Sequence, residues 1–440
     1  REYVVEVSSR ECKMTARIDT LIVLGAGGDL TSRLLLPGLA SYLASDDAHS
    51  LTLVGVDRQE MDDSKWRARV ATSFAGTVSS AADAVASASH YVQADVTDPD
   101  ALRELISSAS GRVALYFALP PAIAQKVVSV LATVTLPEGI VLALEKPFGS
   151  DEASARDLNR LLQTIVPEEQ VFRVDHFLGK STVLNLLGLR FANRVFEPLL
   201  AAPNVAKVEL IFDEALALEG RAGYYDHAGA VVDMIQSHLL LVLALTAMEP
   251  PASVSSEDLR GSMAQVLRAT RVQSVDGTCA RRARYTAGTI GDRRLPAYVD
   301  EEGVDAQLGT ETLAEVTFEI DNWRWAGVPF VLRSGKALGD ARQDIVITFA
   351  PVPHLPNGLT GSAEPAKLTI SIKPATLELD LIINGEGDLF TLDRTQLTTT
   401  LGDAAMSAYG EVIASLIDGD PVLSVRGDVA EQCWRIVAPV

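Results

Sequence analysis

Several places in the sequence collect residue types able to act on an anionic, hydroxylated ligand. Gly25-Ala26-Gly27-Gly28-Asp29-Leu30 follows directly on the short apolar run Thr20–Leu24 and precedes a stretch, Thr31 to Ala44, with helical periodicity. In a strand–glycine turn–helix context, glycines let the backbone approach a pyrophosphate, and the helix start supplies unpaired N–H groups with partial positive charge. Leu30 stands where the third glycine of G-x-G-x-x-G belongs, so the motif alone is also compatible with a plain turn. Asp57-Arg58 closes a second apolar run. An acid there takes the ribose hydroxyls of NAD, whereas an arginine accommodates the 2′-phosphate of NADP. Glu145-Lys146-Pro147 and Asp175-His176 end two further runs, and Leu119-Pro120-Pro121 another. His238 lies with Asp233 and Gln236 in the apolar stretch Val231 to Met248, which reads as a helix ended by Glu249-Pro250-Pro251. On an α-helix Asp233 and His238, five apart, point about 140° from each other. If His238 is a base, its orienting acid must come from elsewhere in the chain. A hydrogen-bonded core histidine is the alternative.

The elements that position these residues follow from the pattern of runs. Leu51–Val56, Tyr91–Ala94, Val113–Ala118, Ile140–Leu144 and Val171–Val174 read as strands, most of them separated by helical stretches. Alternating β and α predicts a parallel, doubly wound sheet with ligands beyond the C-terminal strand ends. After about Leu178 the pattern changes. Val205–Phe212, Ala314–Ile320, Pro329–Leu332, Asp344–Phe349 and Lys367–Ile372 read as strands without regular intervening helices. The expectation is an α/β Rossmann-type N-terminal domain over residues 20–178. An α+β domain over 179–440 follows, with a large, mainly antiparallel sheet, and residues 1–19 form an extension.

Composition bounds the function. A formal charge of −20 over 440 residues argues against nucleic acid and anionic membranes. It also means that cations must be gathered locally if the ligands are anions. No uninterrupted apolar run reaches the roughly 18 residues of a membrane span. Arg1 to Thr20 lacks an apolar signal core, and a cytoplasmic location is expected. Cys12, Cys279 and Cys433 are far apart, and the six histidines are scattered, so no metal site is expected.

The motifs taken together are similar to those of the glucose-6-phosphate dehydrogenase family. The resemblance is carried, in family order, by Gly25–Leu30, Glu145–Gly149, Arg173-Val174-Asp175-His176-Phe177-Leu178-Gly179-Lys180, Asn185–Leu187, Arg190–Asn193 and Gln236–Leu240. Ala247–Pro251, Gly327–Lys336 and Cys433–Arg435 continue it to the end of the chain. It implies that His238 removes the proton from the C1 hydroxyl of the sugar and that Asp175 orients its imidazole. His176 and Lys180 would hold the sugar phosphate as a charge-assisted pair, and Glu214, Asp233 and Lys336 would bind sugar hydroxyls. Lys146 would lie between sugar and coenzyme. Gly25, Gly27, Gly28, Asp29, Leu30, Arg58, Leu119, Pro120 and Lys146 would contact the coenzyme. The family register turns Arg58 rather than Asp57 toward the ribose, so the expected cofactor is NADP, with NAD also admitted. A homo-oligomer, dimer or tetramer, is expected. The chain departs from the family at Phe177 (usually tyrosine), Ser181 (an acid), Val232 (arginine), Leu241 (glutamine) and Asp57 (small and neutral). These departures keep open a paralogue acting on another aldose or aldose phosphate. A non-catalytic, nucleotide-binding regulator also stays open.

Overall fold

The computed structural model describes residues 17–46, 50–273, 279–385, 388–402 and 404–440. Most of the extension expected over residues 1–19 lies outside them. The chain forms two compact units, neither contiguous. The first comprises residues 1–145, 161–174 and 409–423; the second comprises 146–160, 175–408 and 424–440. Lys146, Asp175 and His176, which sequence places in the first domain, therefore belong to the second unit. The chain passes from one unit to the other at the ends of strands rather than at a single linker.

In the first unit, strands β1 (Thr20–Leu24), β2 (Thr52–Asp57), β3 (His90–Gln93), β4 (Val113–Phe117), β5 (Val141–Glu145) and β6 (Val171–Val174) run parallel. Their order is 6-5-4-1-2-3. The chain reverses direction across the sheet between β1 and β4, the usual position of a nucleotide crevice. Strands β1 and β4 are buried at every position. That is why they read as continuous apolar runs: a parallel strand covered on both faces has no polar side to show.

The second unit is built on a ten-stranded sheet. Its central strands are mostly antiparallel, and the pair Val205–Asp213 with Phe330–Gly335 is parallel. Leu313–Ile320 alternates strictly between buried and half-buried positions, the mark of a sheet with one covered face. The run Ala222–Ala247 is long and apolar enough to cross a bilayer, but 83% of its most apolar window is buried inside the structure. It is a core helix.

That helix is not uniform. Val231–Leu239 is π-helical and Leu240–Ala247 α-helical, preceded by the helix Ala222–Ala230. Gly229 makes the junction at φ 63°, ψ −179°. A side chain there would be strained by that φ, and its Cβ would lie 2.4 Å from Glu311 Oε1. The same Glu311 carboxylate accepts from the Val231 N–H at 3.0 Å and so holds the start of the π-helix.

Candidate active site

The glycine turn of the first unit is tight. Gly25 and Ala26 donate to the carbonyl of Val56 at 2.8 and 3.0 Å, and Gly28 donates back to the carbonyl of Gly25 at 3.0 Å. Gly25 has φ +89°, and a Cβ there would lie 2.2 Å from the Ala118 carbonyl oxygen. Only glycine lets the ends of β1 and β4 approach so closely. Arg69 fastens the turn from outside, with Nη2 donating to the carbonyl of Gly27 at 2.8 Å, that of Gly28 at 3.1 Å and Ser32 Oγ at 2.6 Å. Nothing in the spacing of the sequence singles out Arg69.

Beside the turn lies a cleft of about 270 Å³ whose lining includes Gly25, Gly28, Asp57, Arg58, Leu119 and Pro120. Lys126 and Asp95 face it as well. Asp29 instead forms an exposed pair with Arg33 at 3.1 Å, and Leu30 is already helical. Of the expected coenzyme residues, Asp29 and Leu30 are not in the lining, and neither are Gly27 and Lys146. Asp57 Oδ2 accepts from the Gly27 N–H at 3.0 Å. The register argument that reserved the cleft for Arg58 is therefore corrected: the carboxylate turns back onto the glycine turn, and both residues line the cleft. The close-approach glycines and the acid at the end of β2 fit the adenosine half of a nicotinamide dinucleotide.

In the second unit, Asp175 caps the short 3₁₀ turn His176–Gly179, its Oδ1 accepting from the Phe177 N–H at 2.8 Å. The same oxygen lies 2.7 Å from Nδ1 of His238, and both residues are about 2% exposed. On the far side of the ring, Nε2 lies 2.8 Å from Lys146 Nζ. The two contacts fix one tautomer. An ammonium can only donate and a carboxylate can only accept, so Nδ1 carries the proton and Nε2 offers its lone pair. Phe177 stacks on the imidazole with centroids 4.2 Å apart and 16° between planes, while His176 meets it edge-on at 5.0 Å. The ring is held in position and in orientation. Burial pulls the His238 pKa below its ordinary value; Asp175 opposes the shift and Lys146 adds to it. Asp175 is charged despite its burial, because the two histidines and the Phe177 N–H hold its pKa low.

Lys146 also donates to Asp233, to the backbone oxygen at 3.0 Å and to Oδ1 at 3.2 Å, and lies 3.4 Å from Ser237 Oγ. Asp233 and His238 therefore meet at one ammonium, contrary to the 140° divergence expected of an α-helix. The π-helix accounts for the difference, since residues five apart in it stand one turn above each other. Burial opposes the charge on Asp233, but the fields of Lys146 and Lys336 overcome it and lower its pKa. Tyr224 adds a hydroxyl 3.4 Å from the same carboxylate. Lys336, 4% exposed, pairs with Glu214 at 2.5 Å. A slot of about 20 Å³ beside the dyad is lined in part by Lys146, Tyr224, Val232, Gln236 and Leu241. Two of the departures from the family pattern thus make the wall of the slot apolar.

His176 differs from its expected role. Burial, followed by the nearby charge of His238, pulls its pKa down to about 3. That shift favours the neutral imidazole and leaves Lys180 as the standing cation of the expected pair. The Lys180 ammonium lies 4.9 Å above the Phe177 ring. Burial lowers its pKa, Asp175 and Glu214 oppose this, and Lys373 adds to it. Lys373 was missed in the sequence, although it follows the strand Lys367–Ser371 at the sheet end shared with Glu214. Lys146, Lys180, Lys336 and Lys373 are the local gathering of cations that an acidic chain needs to hold an anionic substrate. Asp175, His176 and His238 offer ligand atoms within 4.8 Å of one another. Their shortest approach, however, is the proton-bridged 2.7 Å contact described above.

The pairing of a glycine-turn cleft with a buried Asp–His dyad agrees with the comparisons. Residues 22–185 match the model of "Glucose-6-phosphate dehydrogenase, NAD binding domain", and residues 187–440 match that of the C-terminal domain. Glucose-6-phosphate 1-dehydrogenase of Zymomonas mobilis is 36% identical over 96% of this chain and 91% of that protein. The crystal structure of glucose-6-phosphate 1-dehydrogenase from Mycobacterium avium superposes with a TM-score of 0.84 at 32% identity, covering 97% of this chain and 92% of that one. A glucose-6-phosphate dehydrogenase in complex with glucose 6-phosphate gives 0.87 at 28% identity, with the same coverage. The chain belongs to the glucose-6-phosphate dehydrogenase family.

Proposed function

We propose that the chain oxidises C1 of glucose 6-phosphate to 6-phosphogluconolactone, passing a hydride to NADP or NAD. The observation that carries the reading is the single tautomer imposed on His238, with its proton on the Asp175 side and its lone pair on the other. That lone pair takes the proton of the C1 hydroxyl as the C1–H bond leaves with its electrons and the C1–O bond becomes a carbonyl. The nicotinamide ring, when bound, supplies the hydride acceptor. Asp175 stabilises the imidazolium that forms, and Phe177 keeps the ring in plane. To free Nε2, Lys146 shifts its bond to the substrate, keeping Asp233 as its anchor. Lys180 and the neutral His176 hold the phosphate, while Glu214, Asp233 and Lys336 hold the sugar hydroxyls.

The test is coenzyme reduction, followed by ultraviolet absorbance, across a panel of sugars and sugar phosphates. A clear preference for glucose 6-phosphate is expected. Turnover of several sugars without that preference would point to another aldose, and no turnover at all would point to a regulatory protein. Lys180→Ala should raise KM for glucose 6-phosphate about 10–100-fold, the scale of a lost hydrogen bond to a charged group. It should leave KM for unphosphorylated glucose nearly unchanged, and His176→Ala should have the smaller effect of a neutral donor. Equal losses on both substrates would remove Lys180 from the phosphate site. We further propose a homo-oligomer. Ile383 and Leu397 are exposed on the same face of the paired strands Thr376–Asn384 and Thr391–Thr400, with Leu389 and Phe390 exposed at their connection. A monomeric mass in solution would refute it.

A further inference from the structure

We propose that Asp57 makes NAD the preferred hydride acceptor of this chain, although Arg58 stands beside it. The inference rests on the reading that a nicotinamide dinucleotide binds the glycine-turn cleft, and it names which one. The end of the second strand of such a sheet faces the adenosine ribose. Here that place holds a carboxylate fixed at both oxygens. Oδ2 accepts from the Gly27 N–H at 3.0 Å, and Oδ1 accepts from the Arg58 N–H at 2.7 Å and the Gln59 N–H at 3.3 Å. The fit is close: a Cβ on Gly27 would lie 2.8 Å from Asp57 Oδ2.

An ionised carboxylate only accepts hydrogen bonds. With three of its roughly four lone-pair sites taken, it can still receive one ribose hydroxyl of NAD on Oδ2 without moving. A 2′-phosphate offers it no donor and places like charge against it. To make room, Asp57 would have to leave the Gly27 N–H and disturb the turn that takes the pyrophosphate. Asp95 on the lining of the same cleft adds a second negative charge. Arg58 and Lys126 on that lining supply the attraction that keeps NADP usable as the weaker acceptor.

The test uses the full chain and reads two quantities: kcat/KM for NAD and NADP at saturating glucose 6-phosphate, and calorimetric binding of each coenzyme without sugar. Wild type should favour NAD by about tenfold or more in both, and Asp57→Asn should move the ratio toward NADP by about tenfold or more. Asparagine is chosen because its carbonyl can still accept from Gly27, so the glycine turn is kept while the charge and the bonds from Arg58 and Gln59 are lost. The proposal is overturned if wild type favours NADP, or if the ratio moves less than about threefold in Asp57→Asn with its circular dichroism intact. Discrimination in calorimetry without turnover of glucose 6-phosphate would support the proposal and sink the proposed activity instead. Binding of neither coenzyme would sink both.

Discussion

His238→Ala is expected to lower kcat by roughly two to four orders of magnitude, the scale of a lost general base. KM for glucose 6-phosphate should change little, because in the proposed mechanism the imidazole meets the reacting hydroxyl and Lys180 holds the phosphate. The variant leaves a cavity between Phe177 and Lys146, so its melting temperature should be measured alongside its rate. A folded variant that keeps a third of wild-type kcat would show that His238 is not the base. The pH profile gives an independent reading. As the proposed base His238 acts when neutral, and burial together with Lys146 holds its pKa below the ordinary imidazole value. The acid limb of kcat/KM should therefore fall at lower pH than that of a free imidazole. Lys146→Met, which removes a cation from Nε2, should move that limb upward.

Asp175→Asn is expected to be nearly as damaging, lowering kcat on the order of a hundred- to ten-thousandfold. Its Oδ1 now receives the proton on Nδ1 and also accepts from the Phe177 N–H. An amide can present its NH₂ to the imidazole, which favours the opposite tautomer and places the proton where the base must be bare. It also brings no charge to stabilise the imidazolium. Because the same Oδ1 caps Phe177, an NH₂ in its place weakens that cap, so a thermal melt measured beside the rate is needed to separate lost stability from lost catalysis. Unchanged kcat between pH 6 and 9 would reduce Asp175 to a structural cap.

Much of the first unit was legible because β1, β4 and β5 are covered on both faces and show as apolar runs. The glycine turn was legible from its place between strand and helix, although Arg69, its fastening, carries no local signature. The second sheet was read only in part. Thr391–Thr400, with the string Thr395-Gln396-Leu397-Thr398-Thr399-Thr400, is polar and largely exposed, so its pairing with Thr376–Asn384 leaves no apolar pattern to find. The expected division at residue 178 also differed from the compact units, because exchange between them occurs at strand ends and leaves no linker composition. At the site, spacing alone could not join Asp175 to His238. Family resemblance supplied that pairing, and in the structure the two side chains meet at 2.7 Å. Resemblance also gave His176 and Lys180 as a charge-assisted pair for the phosphate, and burial pulls the pKa of His176 down to about 3.

The wide turn at Val231–Leu239 gives the catalytic helix a phase that composition does not reveal. Each residue of an α-helix advances the face by about 100°. Removing one residue between Val231 and Ser237 would let the segment tighten into ordinary α-helix and keep its hydrophobic character. With the residue taken from between Asp233 and His238, the two would stand four apart and still share a face, whereas tightening the segment with no residue removed would turn them about 140° apart and carry Asp233 off the ammonium it shares with the imidazole. The extra residue in this turn acts as an angular spacer: the chemistry of the helix is set by its count of residues as much as by their identity.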